Sequence, residues 1–528
     1  MTAFFEIAGD WVKHIVNCAQ MKAIDAATIQ EMEVPSCVLM ERAALAVVEE
    51  IKLRAQKNEK ILVVCGSGNN GGDGIAIARI LCLQGFHAEI YLAGKIEKMT
   101  EETALQYKIA KNYGVPFVNN LQWHEYTVIV DAIFGVGLTR EIQGSYHDLI
   151  LEMNQVNAYK VAVDLPSGID GDDGKILGVA FGADVTVTFA YRKRGLCFYP
   201  GRMYAGKIIT ADIGIYTKQD VRQKTQGNDL TESKKTPLYT DGYVQCIEKQ
   251  DLEKLPVRAP FGNKGTFGKV LVVAGSEGMC GASYFAASAA LAGGCGMVKI
   301  VTAEENRIPL QTMLPEAMIS CDFSEEENKK NLNWCDVLVI GPGIGTSKAA
   351  AEHTEWFLKH AKEAEKSVVL DADGLNLLAS NPDWQEILPS NLVLTPHVGE
   401  MSRLCEKTIA EILKSLIETA LACAKKYKAV CVLKDACTVI ADTQGDVFLN
   451  LSGNAGMATA GSGDVLAGLL GALLCMEWTE ETVFAAALGV WIHGAAGDLA
   501  AEKVGMHSLK ARDIIENING VLQGKEGK

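Results

Sequence analysis

Twice along the chain a short β-branched run passes into a glycine-rich loop and then into an apolar helical pattern. Lys60–Cys65 (KILVVC) leads into GSGNNGGDG and then IAIARILCLQ. Lys269–Ala274 (KVLVVA) leads into GSEGMCGA and an alanine-rich stretch. A strand feeding straight into a helix cannot turn back as a hairpin. It must cross over and lay the next strand parallel. More such strands follow: HAEIYL from His87, TVIVD to Asp131, YKVAVD to Asp164 and DVTVTF from Asp184. In the second half come DVLVIGPGIG from Asp336, SVVLDAD from Ser367, NLVLTPH from Asn391 and AVCVLK from Ala429. Nearly continuous apolar strands are buried on both faces, so the pattern predicts two parallel-sheet α/β domains.

The break between them is compositional. Thr217–Thr236 (TKQDVRQKTQGNDLTESKKT) is polar and lacks apolar periodicity. We expect an N-terminal Rossmann-like three-layer αβα domain over 1–216, a linker over 217–238 and a second αβα domain over 239–528. The halves share no clear repeat, so a fusion is expected rather than a duplication. With 528 residues, 48% of them apolar, each half can bury a full core.

Charge and cysteines narrow the setting. A net charge of −15 has the wrong sign for a nucleic-acid or anionic-membrane binder. A small anionic ligand stays open, because helix N-termini bind anions locally. The 15 cysteines are odd in number and scattered, with no CxxC. That points to a reducing cytoplasm rather than a disulfide framework or zinc site. The start, MTAFFEIAGDWVKHIV, lacks the order of a signal peptide. The uncharged run Gly278–Val298 is read as a buried loop, helix and strand start, not a membrane span.

The first loop, Gly66–Gly74, brings backbone amides close to a phosphate and satisfies GxGxxG at Gly66, Gly68 and Gly71. With Glu89 as a ribose-binding acid, an NAD-dependent dehydrogenase is one reading. The loop also carries Asn69, Asn70 and Asp73, where a dinucleotide turn would keep small side chains. Asp131, Asp164 and Ser167 sit at strand carboxyl ends, where open α/β sheets bind ligands. Such an oxygen-rich set suits a hard cation or acid–base chemistry. The alternative is that Asp131 and Asp164 only cap the helices that follow.

Gln20–Asp25 (QMKAID), VPSCVLMERAA, GSGNNGGDG, DAIFGVGL and VDLPSGID resemble, in order, the NAD(P)H-hydrate epimerase family over about residues 15–215. The resemblance implies that Asn69, Asn70, Gly71, Gly72 and Asp73 contact the ligand. It adds the loop Gly135, Val136, Gly137, Leu138, Thr139, Arg140 and Glu141, and Asp164 as the catalytic acid or base. It also implies a potassium ion on Asn70, Asp131 and Ser167.

In the second half NAGMATAGSGDVLAG sets glycines before Asp464 and an apolar helix after it. That is an anion hole facing a carboxylate base, the pair phosphoryl transfer needs. No Walker A pattern is present. GPGIG (Gly341–Gly345) follows a strand, LTPHVGEM sets His397 and Glu400 past another, and LKDACTVI puts Lys434 and Thr438 on a strand–turn–strand. Together with GSEGMCGA and LDADGLNLL, these resemble the NAD(P)H-hydrate dehydratase family of the ribokinase-like fold, from about residue 240 onward. The resemblance implies that Ala282, Gly343, His397 and Asp464 contact the hydrate. It implies that Lys434, Asp435, Ala436, Cys437, Thr438 and Gly463 contact ADP or ATP with Mg²⁺.

The paired resemblance implies a bifunctional enzyme. One domain would epimerise the R and S hydrates of NADH and NADPH (NADHX and NADPHX). The other would dehydrate the S hydrate, with Asp464 activating the C6 hydroxyl. Small molecules are the expected partners, with no nucleic acid and no membrane, in a homo-oligomer. Competing readings are a vitamin or sugar kinase for the second half, and a dehydrogenase or a non-enzymatic interaction module for the first. No residue separates ADP from ATP on physical grounds.

Overall fold

Alternation of strand and helix builds one parallel sheet in the first half. The computed structural model describes residues 14–215, 244–479 and 481–523. The linker expected at 217–238 and the first 13 residues lie outside that range. The chain divides into two units, Met1–Gly242 and Tyr243–Lys528.

The first unit holds β1 (Ile15–Val16), β2 (Lys60–Cys65), β3 (His87–Leu92), β4 (Phe117–Val118) and β5 (Tyr126–Ala132). It continues with β6 (Tyr159–Val163), β7 (Val185–Phe189), β8 (Arg192–Lys193) and β9 (Lys207–Ala211). Seven of these form a sheet in the order β4-β3-β2-β5-β6-β7-β9, with every pair parallel. Because side chains alternate along a strand, β2 feeds both layers. Ile61, Val63 and Cys65 join one apolar core, Leu62 and Val64 the other. Between β2 and β5 the winding reverses, which opens a crevice at the strand carboxyl ends. A separate parallel ribbon joins β1 to β8.

The second unit holds β10 (Val244–Cys246), β11 (Lys269–Val273), β12 (Met297–Val301), β13 (Met318–Ser320) and β14 (Val337–Ile340). It adds β15 (Ser367–Leu370), β16 (Leu392–Leu394), β17 (Val430–Leu433), β18 (Val439–Ala441) and β19 (Val447–Leu449). The order is β10-β19-β18-β17-β16-β15-β14-β11-β12-β13. The expectation of a parallel sheet needs one correction. β18 runs antiparallel to both neighbours. The connection from Leu433 to Val439 is far shorter than a crossover requires, so the chain can only fold back.

Gly278–Val298 forms a loop, the helix Cys280–Ala292 and the start of β12, as its composition suggests. Among the described residues one helix, Thr482–Val504, is long and apolar enough to cross a membrane. It is 72% buried in the protein over its most apolar window. With Cys280–Ala292 and Ser462–Leu474 it packs into the core of the second unit.

Candidate functional sites at two sheet edges

In the first unit the glycine loop is shaped by close approach. A Cβ at Gly71 would collide with the Gly66 carbonyl, so only glycine lets the helix Asn69–Leu83 start against the end of β2. Asn69, Asn70 and Asp73 face a cavity of about 550 Å³. Gly71 and Gly72 are buried beneath it instead, with their amides bonded to the Gly68 carbonyl at 2.8 and 3.2 Å. Gly135, Val136, Gly137 and Leu138 line the same cavity. Thr139, Arg140 and Glu141 are exposed and do not line it.

Asp164 follows β6 with φ at 67°, a left-handed backbone that a non-glycine residue rarely holds. Its Oδ1 lies 2.6 Å from Lys193 Nζ and 3.2 Å from Thr188 Oγ1. Lys193 also donates to Thr188 Oγ1 and the Phe189 carbonyl, both at 3.0 Å. A Cβ on Gly135 would sit 3.4 Å from both Asn70 Oδ1 and Asp164 Oδ2. The loop after β5 therefore meets Asn70 and Asp164 at one point.

Asp131 and Ser167 pair below the cavity. The Ser167 hydroxyl and amide donate to the Asp131 carboxylate at 2.6 and 2.7 Å, and the Ile133 amide adds a third bond at 3.2 Å. Burial pushes Asp131 up to about 6 despite the bonds from Ser167 and Ile133, which pull it down. These bonds join separate segments at the sheet edge, which is more than local helix capping. Asn70 is 9% exposed, and its Oδ1 and Nδ2 have no hydrogen-bond partner.

Glu89 does not serve the ribose role. It lies mid-strand, opposite Leu62, and accepts the Tyr126 hydroxyl at 2.7 Å while pairing with Lys60 at 3.1 Å. Its carboxylate is spent three residues short of the strand end where a nucleotide would lie. Sequence reading also missed two lining residues, Asp25 and Lys193. Asp25 was visible only as part of QMKAID, and Lys193 as a lysine just after a strand.

In the second unit Gly461, at φ 90°, ends the loop before the helix Ser462–Leu474. Asp464 stands in the first turn of that helix. Burial, then the nearby charge of Asp371, pushes Asp464 up to about 7 against the pull of Lys434. Asp371, just past β15, receives Lys434 Nζ and Thr395 Oγ1, both at 2.7 Å on Oδ1. A Cβ on Gly463 would lie 3.4 Å from Lys434 Nζ and 3.9 Å from Asp371 Oδ2. Burial alone would lower Lys434, but Asp371, Glu400 and Asp464 hold it above its ordinary value.

The other expected residues divide. Gly343, at φ 61°, stands against Ala282, whose Cβ a side chain there would meet at 2.9 Å. Asp373 accepts the Gly345 amide at 2.9 Å and adds to the charge on Asp464, which ties GPGIG to the base. His397 caps the helix Val398–Cys405. Its Nδ1 accepts the amides of Gly399 at 2.9 Å and Glu400 at 3.2 Å. Asp435 and Ala436 are exposed, whereas Cys437 and Thr438 are buried at 1% and 8%. The Cys437 side chain therefore belongs to the core. Asp371 and Asp373 stood in LDADGLNLL without a role assigned to either.

Fold and sites together define a two-unit α/β enzyme, with buried carboxylates gathered at the carboxyl edge of each sheet. The chain is 36% identical to the bifunctional NAD(P)H-hydrate repair enzyme Nnr of Moorella thermoacetica, over 97% of each chain. It belongs to the family of bifunctional NAD(P)H-hydrate repair enzymes. The enzyme of the same name from Escherichia coli is 34% identical over 87% of this chain and 84% of its own. Residues 270–519 match the family model described as NAD(P)H-hydrate dehydratase, and residues 36–195 that of the YjeF-related protein N-terminus. Among solved structures, a ribokinase-like superfamily protein of Enterococcus faecalis is similar, with 27% identity and a TM-score of 0.49. The match covers 53% of this chain and 96% of that one. The ADP/ATP-dependent NAD(P)H-hydrate dehydratase of Bacillus subtilis, co-crystallized with ATP/Mg²⁺, gives 29% and 0.46, covering 53% and 98%.

Proposed function

We propose that the protein repairs NADH and NADPH whose nicotinamide ring has taken up water at C6. The first unit epimerises the R and S hydrates, and the second dehydrates the S hydrate with ADP or ATP as phosphoryl donor. The observation that carries this is the pair of separate carboxylate sites. One is Asp164 on Lys193 beside Asn70; the other is Asp464 at a helix start. One activity supplies the isomer that the other consumes.

In the second unit Asp464 takes the proton of the C6 hydroxyl as the hydroxyl oxygen attacks the terminal phosphorus of the nucleotide, whose bridging P–O bond breaks to release AMP from ADP or ADP from ATP. Amides around Gly461–Gly463 steady the transferred group. The C6–O bond then breaks, the leaving phosphate takes up the proton lost from C5, and the ring regains its C5=C6 double bond. Lys434 is held by Asp371 close to Gly463, where it opposes phosphate charge. A pKa near 7 lets Asp464 act as a base in neutral solution. Asp371 and Asp373 offer the hard oxygen donors that suit Mg²⁺ travelling with the nucleotide.

In the first unit Asp164 moves protons at the hydrate, with Lys193 fixing its carboxylate. The lone Asn70 carbonyl oxygen, the Asp131 carboxylate and the Ser167 hydroxyl are an all-oxygen set that fits potassium. When bound, potassium supplies a fixed positive charge that braces the glycine loop. Fifteen cysteines with no disulfide among them support a reducing, cytoplasmic setting.

The test mixes full-length protein, Mg²⁺ and K⁺ with R and S NADH hydrates, adding ADP or ATP in turn. Full recovery of the reduced-nicotinamide absorbance supports both activities, and the faster nucleotide names the donor. Recovery that stops when the S isomer is gone removes the epimerase. No recovery with either nucleotide favours a small-molecule kinase.

A further inference from the structure

The cavity of the first unit holds more acid than the chemistry above uses. Asp25, Asp73 and Asp164 all line it, together with Lys193. They arrive from separate elements: Asp25 from the helix Cys18–Gln30, Asp73 from Asn69–Leu83, Asp164 from the end of β6 and Lys193 from β8. The β1–β8 ribbon pairs Val16 with Lys193, which ties the segment leading into the Asp25 helix to the one that carries the lysine.

Two ammoniums, Lys22 and Lys193, and four carboxylates, Asp25, Asp73, Asp164 and Glu102, line this cavity. Carboxylates gathered in one cavity and partly withdrawn from water raise one another's pKa. Lys193 commits itself to Asp164 at 2.6 Å. Asp25 and Asp73 keep protons more readily. Burial pushes Asp25 up to about 6, with Asp164 adding and Lys193 opposing. Asp73 is likewise raised well above its ordinary value by burial, then by Asp164 and Asp25. An acid and a base set apart by their surroundings are what inversion of a carbon centre needs, because the two faces ask for opposite proton movements.

We propose that Asp25 is a second catalytic carboxylate of this site, the general acid that protonates the departing C6 hydroxyl. The proposal rests on the epimerase reading and adds a route to it. Asp25 gives its proton to the C6 oxygen. The C6–O bond breaks, its electron pair leaves on water, and the N1 lone pair forms a C6=N1 double bond. A water then attacks C6 from the other face, the double-bond pair returns to N1, and Asp164 accepts the released proton. Asp25 ends ionised and Asp164 protonated. The opposite isomer runs the same steps with the roles exchanged.

The experiment uses full-length protein with the pure R hydrate of NADH and K⁺ but no nucleotide, following the S hydrate by chromatography. If the wild type forms no S hydrate beyond the spontaneous rate, the epimerase reading itself fails. If it does, Asp25→Asn should lower kcat about 100-fold with KM within about twofold, and Asp25→Glu should recover part of the rate. A wild-type kcat in Asp25→Asn, or a loss confined to KM, overturns the proposal. Wild-type protein in H₂¹⁸O gives a readout free of any folding defect. Each S hydrate formed should carry one ¹⁸O at C6, and inversion without ¹⁸O uptake overturns the route.

Discussion

Lys193 Nζ lies 2.6 Å from Asp164 Oδ1, and the lysine side chain is 1% exposed. The two sit on either side of β7, 29 residues apart in the chain. Asp164 holds its left-handed backbone at the same point. A buried ion pair adds little net stability, yet breaking it from one side leaves a charge with no partner.

Lys193→Met should therefore destabilise the first unit by about 3–5 kcal/mol, since the Asp164 charge stays buried. Urea unfolding followed by a probe confined to that unit reads this. An unchanged midpoint would show that water reaches Asp164 freely. Asp164→Ala should abolish epimerisation and spare dehydration of the S hydrate. Loss of both activities in a folded protein would refute the assignment of separate sites.

Asp464→Asn should do the reverse, with dehydration falling about 10²- to 10⁴-fold for loss of a general base. The base acts when ionised, and Asp464 is raised to about 7. The wild-type rate should thus be level above pH 7 and fall about tenfold per unit below it. Linkage has its own sign. Between about pH 4 and pH 7 the folded state holds a proton that the unfolded chain has lost, so this group's contribution to stability declines as pH rises. A dehydration rate independent of pH from 5 to 8 would argue against Asp464 as the base.

Asn70→Ala removes the two unpartnered polar atoms beside the cavity. Epimerisation should lose its response to K⁺ over Na⁺, and so should the thermal stabilisation that K⁺ gives by binding the native state. An equal response in both proteins would remove Asn70 from the ion's shell.

Two glycines should answer alanine differently. Gly71→Ala drives a Cβ into the Gly66 carbonyl and should unfold the loop. Gly463→Ala meets only Lys434 Nζ at 3.4 Å and Asp371 Oδ2 at 3.9 Å. It should keep the melting temperature and raise KM for the nucleotide. A wild-type KM would place the phosphates elsewhere.

His397 caps its helix through Nδ1, and partial desolvation, with Lys434 and Arg403 nearby, lowers its pKa. His397→Ala should cost about 1 kcal/mol, the usual loss of a cap, and His397→Asn should restore it. If KM for the S hydrate rises in both variants, the ring also contacts the substrate. If it rises in neither, capping is its whole role.

Much of both sites was legible before any coordinates. NNGGDG and GSGD are local: glycine spacing and helix starts follow from contacts a few residues apart. Strand ends at Asp131 and Asp164 could be read from apolar runs. Roles that depend on pairing across the fold were not legible. Glu89 fits a ribose motif in sequence, yet the register of β3 on β2 and β5 sets it beside Lys60 and Tyr126. Cys437 sits in a matching motif and still turns into the core.

By itself the sequence determined two α/β units, their glycine loops and the carboxylates nearest those loops. Periodicity and backbone sterics act over short stretches and leave a mark in the order of residues. Only the tertiary structure decided that Lys193 neutralises Asp164, that Asp371 holds Lys434 near Asp464, and that Asp25 shares the epimerase cavity. Those choices rest on burial and on charges brought together from distant segments. Desolvation and Coulomb energy depend on position in space, which no spacing along the chain records.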